Sequence, residues 1–317
     1  MTATTERICR RLHPVLRDAV VAEDGLTVEF GGRTVRGESL RECTGELANL
    51  LYEHLHAGLP SEDGPLPKRL RDPATEAALA AAVPHGTTHY PAAAVRAAGG
   101  HLVAEIDGVR VTVPSSAVDP AEDVLRLPAA RPALSPGFFL VDGSRGRPSR
   151  GPLLRVYVHI AEARYATGIW RSVLARMEAA AVPYRAKVIS SPRLLPRRDS
   201  LVVYLGSDAW PALDALVEEL SGAPGLAPGV SPFAKLLAPG VAAGWEPHDR
   251  RPGHAGLSFG QHRALALAEG LLASRREPAG ARRHAYVAEA LTAAGTDPLE
   301  ISRNIDSPEL SYGKGGV

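Results

Sequence analysis

The feature that most constrains the fold is the spacing of hydrophobic residues after Leu153, where segments with the two-residue period of a strand and segments with the period of a helix follow one another closely. The pattern predicts three strands, at 154–160, 184–189 and 201–205, and four helices, at 165–180, 210–220, 259–272 and 284–293. Strands separated by single helices and loops predict an α+β fold, in which a small mixed or antiparallel sheet is flanked by helices.

The chain before residue 128 has a looser pattern. It predicts a helix over 4–22, a hairpin around Gly31-Gly32, and a second helix that Ser39 caps and that runs to about His56. Residues 60–67 read as a loop, and 101–113 as a hairpin that turns at Asp107-Gly108.

These patterns divide the chain into three regions. Residues 1–127 form an N-terminal helical and hairpin region, which is a candidate for peptide binding. Residues 128–305 form the main α+β domain. Residues 306–317 end in glycines and are expected to be a flexible tail.

Composition limits the classes of protein that remain. Two cysteines, Cys9 and Cys43, are too few for a disulfide framework or a four-thiolate zinc site. The first residues lack the apolar core of a signal peptide, and no stretch approaches the roughly 18 apolar residues of a membrane span. We therefore expect a cytoplasmic protein that does not associate with membranes.

Charge is distributed unevenly along the chain. Residues 145–204 contain twelve Lys and Arg against three acidic residues, a local charge of +9 in a chain whose net charge is +1. Such a field concentrates anions. Nucleic acid is not a predicted partner, because aromatic residues make up only 5% of the chain and no helix-turn-helix or zinc signature is present.

Several common sites are rejected on geometry. His54 and His56 would point about 200° apart on a helix, so they are poor co-ligands for a metal. No glycine-rich phosphate loop or nucleophile elbow follows a strand. The sequence therefore predicts neither a metal nor an organic cofactor.

A cluster of cationic side chains remains as the candidate site. Arg155 and His159 lie four residues apart on one predicted strand and so share a face, while Lys187 lies near the end of the next strand. Arg197 and Arg198 precede the strand that carries Tyr204. If these strands are neighbours, their side chains converge on one anion. The alternative is that His159 is a core histidine and the arginines lie along the surface.

Four motifs in two segments, 183–205 and 230–272, point to a known family. They are a Pro, an aromatic residue and a Lys at a strand end; Arg-x-Asp before a strand that ends in Tyr; Pro-Phe-x-Lys; and Ser-Phe-Gly-x-His-Arg opening a helix. In this chain they comprise Pro183, Tyr184 and Lys187; Arg197, Asp199 and Tyr204; Pro232, Phe233 and Lys235; and Ser258, Phe259, Gly260, His262 and Arg263. With these motifs the chain resembles the HopA-type family of plant-pathogen effectors, over residues 137 to 295.

HopA-type proteins also occur in actinobacterial clusters that make class V lanthipeptides and thioamide peptides. The resemblance implies a metal-independent phosphoserine/phosphothreonine lyase, which acts on a precursor peptide phosphorylated by a kinase-like partner and leaves dehydroalanine or dehydrobutyrine.

The resemblance and the cationic cluster together suggest roles for individual residues. Lys187 would be the general base and His159 the general acid, with His262 as the alternative acid. The remaining candidates would bind phosphate or peptide: Arg155, Arg197, Arg198, Tyr204, Lys235, His262 and Arg263. The competing function is a non-catalytic module that binds a leader peptide or the kinase-like partner.

Overall fold

The computed structural model describes residues 7–59, 70–91, 96–98, 101–106, 109–119, 124–148, 151–277, 280–310 and 312. The predicted loop at 60–67, the Asp107-Gly108 turn and half of the predicted flexible tail lie outside these residues. Within the described ranges, no helix is long and apolar enough to cross a membrane.

The helices of the described chain are α1 (His13–Asp18), α2 (Leu40–Leu51), α3 (Pro73–Ala81), α4 (Ala163–Ala179), α5 (Leu213–Leu220), α6 (Phe259–Ala273) and α7 (Ala281–Ala293). A π-helical turn, Tyr52–Ala57, extends α2. Short 3₁₀ turns occur at Arg10–Leu12, Ser115–Ala117, Pro192–Leu194 and Ser207–Ala212.

The first nine strands form three small sheets. They are β1 (Val20–Val21), β2 (Thr27–Phe30), β3 (Arg33–Arg36), β4 (Thr87–Pro91), β5 (Arg96–Ala98), β6 (His101–Ile106), β7 (Val109–Val113), β8 (Val118–Asp119) and β9 (Val124–Pro128). The sheet orders are β1-β2-β3, β4-β9-β8 and β5-β6-β7.

The remaining strands build one seven-stranded sheet. They are β10 (Ala130–Ser135), β11 (Phe138–Asp142), β12 (Leu154–Ile160), β13 (Tyr184–Ile189), β14 (Arg197–Leu205), β15 (Lys235–Ala238) and β16 (Val241–Trp245). Their order is β10-β11-β13-β14-β12-β16-β15, with antiparallel pairing between all neighbours. The predicted α+β class, with an antiparallel sheet flanked by helices, is confirmed.

Each face of the central sheet packs against its own set of helices. Side chains of β12 alternate between the two cores: Val156 and Val158 join the core under α3, α4 and α5, and Tyr157 joins the core under α2, α6 and α7. The second core also contains the N-terminal helix α1 and strand β2. The N-terminal segment therefore packs against the same sheet face as the C-terminal helices.

Local capping explains where the helices on this second face begin. Ser39 accepts a hydrogen bond from the backbone N–H of Glu42, as the sequence predicts for α2. Ser258 and Gln261 form a reciprocal capping box at the start of α6. Caps of this kind satisfy backbone donors that a helix leaves unpaired in its first turn.

Several elements differ from the sequence prediction. The N-terminal helix is shorter than 4–22, because the chain enters β1 at Val20. Strands β4, β9, β10, β15 and β16 and helix α3 are additions that the periodicity did not indicate. Two of these strands, β10 and β15, form the edges of the central sheet.

Candidate active site

An open cleft lies on the same sheet face as Tyr157, next to the part covered by α2 and α6. Its volume is about 1070 Å³, and among the residues that the structure describes five cationic side chains and one carboxylate line it. The cations are Arg145, Arg147, Arg155, Arg185 and Lys187; the carboxylate is Glu246; the other lining side chains include His89, Tyr90, Leu134, Leu140 and Tyr204.

Strand register brings the floor of this cleft together. Tyr204 on β14 pairs with Arg155 on one side and with Arg185 on the other. Lys187 lies two residues beyond Arg185 on β13, so both side chains project from the same face. The prediction that Arg155, Lys187 and Tyr204 meet therefore agrees with their positions.

Lys187 is half-buried in the cleft wall. Its Nζ lies 4.1 Å from the centre of the Phe138 ring, a cation–π contact. Within the described ranges, Nζ makes no hydrogen bond or ion pair with another side chain. The amine therefore lines the cleft without a directly bonded acid.

Arg155 is held in place by Glu246. Its Nε and Nη2 atoms both bind the Glu246 carboxylate, the second at 2.5 Å, and its guanidinium carbon lies 5.0 Å from the centre of the Tyr204 ring. Burial opposes the charged form, but the neighbouring Tyr204, Tyr157 and Glu246 keep the pKa of Arg155 above its usual value. The Nη1 group of Arg155 takes no part in the two hydrogen bonds to Glu246.

Arg185 is oriented in the same manner by a fully buried acid. Its Nε and Nη2 donate to the two oxygens of Asp142 at 2.6 and 3.1 Å, and Tyr90 also donates to this carboxylate at 3.0 Å. Despite the effect of burial, the hydrogen bonds to Asp142 raise the pKa of Arg185. Two arginines of the cleft are thus fixed before any ligand binds.

A second buried network holds the loop that forms one wall. Glu178 of α4 accepts a hydrogen bond from the Ser144 backbone N–H at 3.0 Å and lies 3.3 Å from Nδ1 of His85. The Nε2 atom of His85 donates to the backbone carbonyl of Asp142 at 2.8 Å. This anchoring fixes the loop from which Arg145 and Arg147 enter the cleft.

Sequence reasoning missed His89, the histidine that lines the cleft with Lys187. His89 lies on β4, which pairs with β9, and its backbone N–H donates to the Ser144 carbonyl. No motif marks this position, because the strand is short and distant in sequence from β13. Arg185, which stands two residues before Lys187, could have been found from strand alternation alone.

The structure places Arg197 and Arg198 outside this cleft. Arg197 is buried and binds Asp199 through Nε and Nη2, at 2.8 and 3.0 Å, and Nη2 also donates to the Tyr52 hydroxyl. Arg198 donates through Nη1 to the carbonyls of His54 and Leu55 within the π-helical turn. Both cations therefore join the sheet to the turn that extends α2, away from the cleft.

His159 shares a strand face with Arg155 but lies about 13 Å further along β12. Its Nδ1 donates to the Gly229 carbonyl at 2.7 Å, and burial lowers its pKa. Tyr157, which is buried in the second core, stands between the two residues. His159 and Lys187 therefore do not face one cavity.

Lys235 lies on edge strand β15, in a separate pocket of about 70 Å³ that it shares with Glu300 and Arg303. His262 and Arg263 lie on α6 and are fully buried. None of the three lines the cleft. The single site expected from the sequence is thus divided among several places in the fold.

Asp249, His254 and His262 place potential ligand atoms within 4.8 Å of one another. Hydrogen bonding argues against a metal there. Arg263 donates to Nδ1 of His262 at 2.8 Å, so the neutral ring carries its proton on Nε2, which donates to Asp249. A metal ion bound at Nε2 would need the lone pair of that nitrogen, but in this tautomer Nε2 carries the proton. Arg251 already neutralises the Asp249 carboxylate through Nε and Nη2.

The sequence profile of the HopA1 effector protein family matches residues 129–303, which is more than half of the chain. The chain belongs to the HopA1 family. No curated protein sequence matches it.

Two solved structures of bacterial effector proteins are similar to the chain. The effector protein from Pseudomonas syringae pv. tomato strain DC3000 is 18% identical, with 85% of this chain and 91% of that chain covered and a TM-score of 0.48. The effector protein from Pseudomonas syringae pv. syringae strain 61 is 13% identical, with 81% and 88% covered and a TM-score of 0.47.

Proposed function

We propose that this HopA1-family protein is a lyase that removes phosphate from phosphoserine or phosphothreonine in a ribosomally made precursor peptide. The observation that carries the proposal is the cleft in which Lys187 stands beside two arginines already fixed by carboxylates. The products are dehydroalanine or dehydrobutyrine and inorganic phosphate.

The chemistry needs a base, a charge sink for phosphate and a proton for the leaving group. The Lys187 amine takes the α-proton of the phosphorylated residue, the C–H electron pair forms the Cα=Cβ bond, and the Cβ–O bond breaks with its electrons on phosphate. Arg155 and Arg185 present their Nη1 groups to the developing negative charge. Because both are held in advance, little reorganisation is needed during the reaction.

The leaving phosphate takes its proton from an acid in the same cleft. We assign this role to His89, since it lines the cleft with Lys187, whereas His159 and His262 have ring nitrogens bonded elsewhere. An imidazole is suited to the step because it can release a proton near neutral pH.

The substrate must arrive already phosphorylated, so a kinase-like partner that uses the same precursor peptide is part of the proposal. The size and openness of the cleft support a peptide substrate, because a single amino acid would fill only a small part of about 1070 Å³. The apolar side chains Leu134 and Leu140 at one end suit the residues that flank the phosphorylated position.

Incubation with synthetic phosphoserine and phosphothreonine peptides tests the proposal. Mass spectrometry should show loss of phosphoric acid, and a phosphate assay should show equimolar release. The Lys187→Ala variant should reduce kcat by about 10²–10⁴-fold, the usual contribution of a general base. Arg171→Ala, an exposed cation on α4 in the same basic segment, should have no effect beyond about twofold.

The other outcomes separate the alternatives. Full activity in Lys187→Ala with loss in Lys235→Ala would assign the base to Lys235. Tight binding of the phosphopeptide without any phosphate release, even with the kinase-like partner present, would support the binding module instead. Failure to bind the phosphopeptide would refute the lyase, and failure to bind either a leader peptide or the kinase-like partner as well would refute the binding module.

A further inference from the structure

Arg263 is a fully buried cation with an unusual set of partners. Within the described ranges it makes no salt bridge; its three nitrogens donate instead to the Ile301 carbonyl, to Nδ1 of His262 and to Oδ1 of Asn304, at 2.8 to 2.9 Å. Burial lowers the pKa of Arg263 to about 9. A buried cation without a carboxylate is costly, so its position calls for a reason beyond packing.

A continuous chain of hydrogen bonds joins this cation to the cleft. Asn304 uses its side-chain oxygen to accept from Arg263 and its side-chain nitrogen to donate to the Glu246 backbone carbonyl at 2.7 Å. The Glu246 carboxylate in turn holds Arg155. Asn304 thus bridges Arg263 and the Glu246 backbone, so a displacement of Asn304 moves the point from which the Glu246 side chain begins.

The same α6 dipeptide fixes the loop that follows Glu246. His262 donates to Asp249, and His254 donates to Glu269 of α6 at 3.0 Å. Gly256, near the end of this loop, lines the cleft. Both ends of the loop are therefore tied to α6 and not only to the sheet.

We propose that Arg263 and Asn304 are positioning residues that set the place of Arg155 in the cleft through Glu246. The proposal rests on the lyase function for its meaning in catalysis, but it makes a separate statement about phosphate binding. Neither residue touches substrate, because Arg263 is completely buried and Asn304 is 3% exposed.

The test uses two variants. Asn304→Ala removes the middle member of the series of hydrogen bonds between Arg263 and Arg155, and Arg263→Lys keeps the positive charge but not the hydrogen-bond geometry of the guanidinium. Ser302→Ala is the matched control: Ser302 is buried in the same segment, and its hydroxyl donates to Glu300, away from the cleft. Binding of a fluorescent phosphopeptide and of inorganic phosphate is measured by anisotropy and calorimetry, alongside turnover and thermal unfolding.

We expect Asn304→Ala to weaken phosphopeptide binding by about tenfold, as for loss of one charge-assisted contact, and to raise KM more than it lowers kcat. In the Arg155→Met background, Asn304→Ala should cause no further loss of phosphopeptide affinity, since the hydrogen bonds of Asn304 act through Arg155. The proposal would be overturned if Asn304→Ala and Ser302→Ala weakened phosphopeptide binding equally, or if the effects of Asn304→Ala and Arg155→Met were fully additive. Both comparisons remain valid if Arg263→Lys fails to fold. A wild-type protein that binds phosphopeptide without turnover would refute the lyase and leave this test intact.

Discussion

The Arg197–Asp199 pair offers a direct test of how the fold uses its cations. The sequence predicts Arg197 as a phosphate ligand, whereas the structure buries it against a carboxylate. We therefore expect Arg197→Met to damage the fold and not the site. Phosphopeptide affinity, measured below the unfolding transition, should stay within about twofold of the wild type.

The structure sets the size of the expected loss. Asp199 is 5% exposed and accepts two hydrogen bonds from Arg197, while Tyr52 supplies only a longer contact of 3.3 Å. Removing the arginine leaves a buried carboxylate without its directly bonded cation, which costs about 3–5 kcal/mol. The double variant Arg197→Met/Asp199→Leu removes the charge as well, so it should recover most of that loss.

Urea unfolding followed by tryptophan fluorescence and circular dichroism measures the difference between these variants. The single variant should unfold at a clearly lower urea concentration, and the double variant should return towards the wild-type midpoint. If Arg197→Met unfolds like the wild type but loses phosphopeptide affinity, then Arg197 faces the ligand and the assignment of the cleft is wrong.

Two further predictions concern stability. Burial lowers the pKa of His56 and of His262 to about 4 each, from an ordinary value of 6.5. Between these two pH values the unfolded chain binds protons at these histidines that the folded chain does not. The urea midpoint of unfolding should therefore fall as the pH falls from 6.5 to 4. A midpoint that does not change over this range would contradict the burial of both rings. Gly260→Ala should destabilise by about 1–3 kcal/mol, because a Cβ there would lie 2.2 Å from the His56 ring. A Cβ at Gly45 in α2 would meet no atom within 4 Å, so Gly45→Ala should stabilise the folded state by about 0.5–1 kcal/mol. Thermal unfolding compares the two variants, and equal shifts of their unfolding temperatures would refute the packing argument.

Periodicity predicts the elements between residues 153 and 293 well where each element has a strong apolar pattern. Strand β12 and helices α4 and α6 lie within a few residues of their predicted bounds. Strand β16 was missed because its centre is Ala242, Ala243 and Gly244, which show no alternation. These small residues are required by packing: a Cβ on Gly244 would lie 2.5 Å from the Phe259 ring.

The composition of the site was only partly predictable. Strand alternation correctly puts Arg155 and His159 on one face, but the distance along the strand separates them by more than the width of a phosphate group. The pairing of β12 with β14 also shifts register between Val158 and Ile160, next to Arg197. Such a shift changes which side chains share a face, and no sequence pattern announces it.

A carboxylate partner does not by itself distinguish the arginines of the cleft from a buried arginine. Arg155, Arg185 and Arg197 all bind a carboxylate through Nε and Nη2. What differs is the far side of each guanidinium: Arg155 and Arg185 line an open cleft, whereas Arg197 meets the Tyr52 hydroxyl in a closed core. Each acid that holds a cleft arginine reduces the positive potential that attracts phosphate, and it also fixes the direction of the remaining donors of that arginine. A site built to bind anions as tightly as possible would lack Glu246 and Asp142. Their presence is the arrangement expected where donors must be aimed at charge that develops during a reaction.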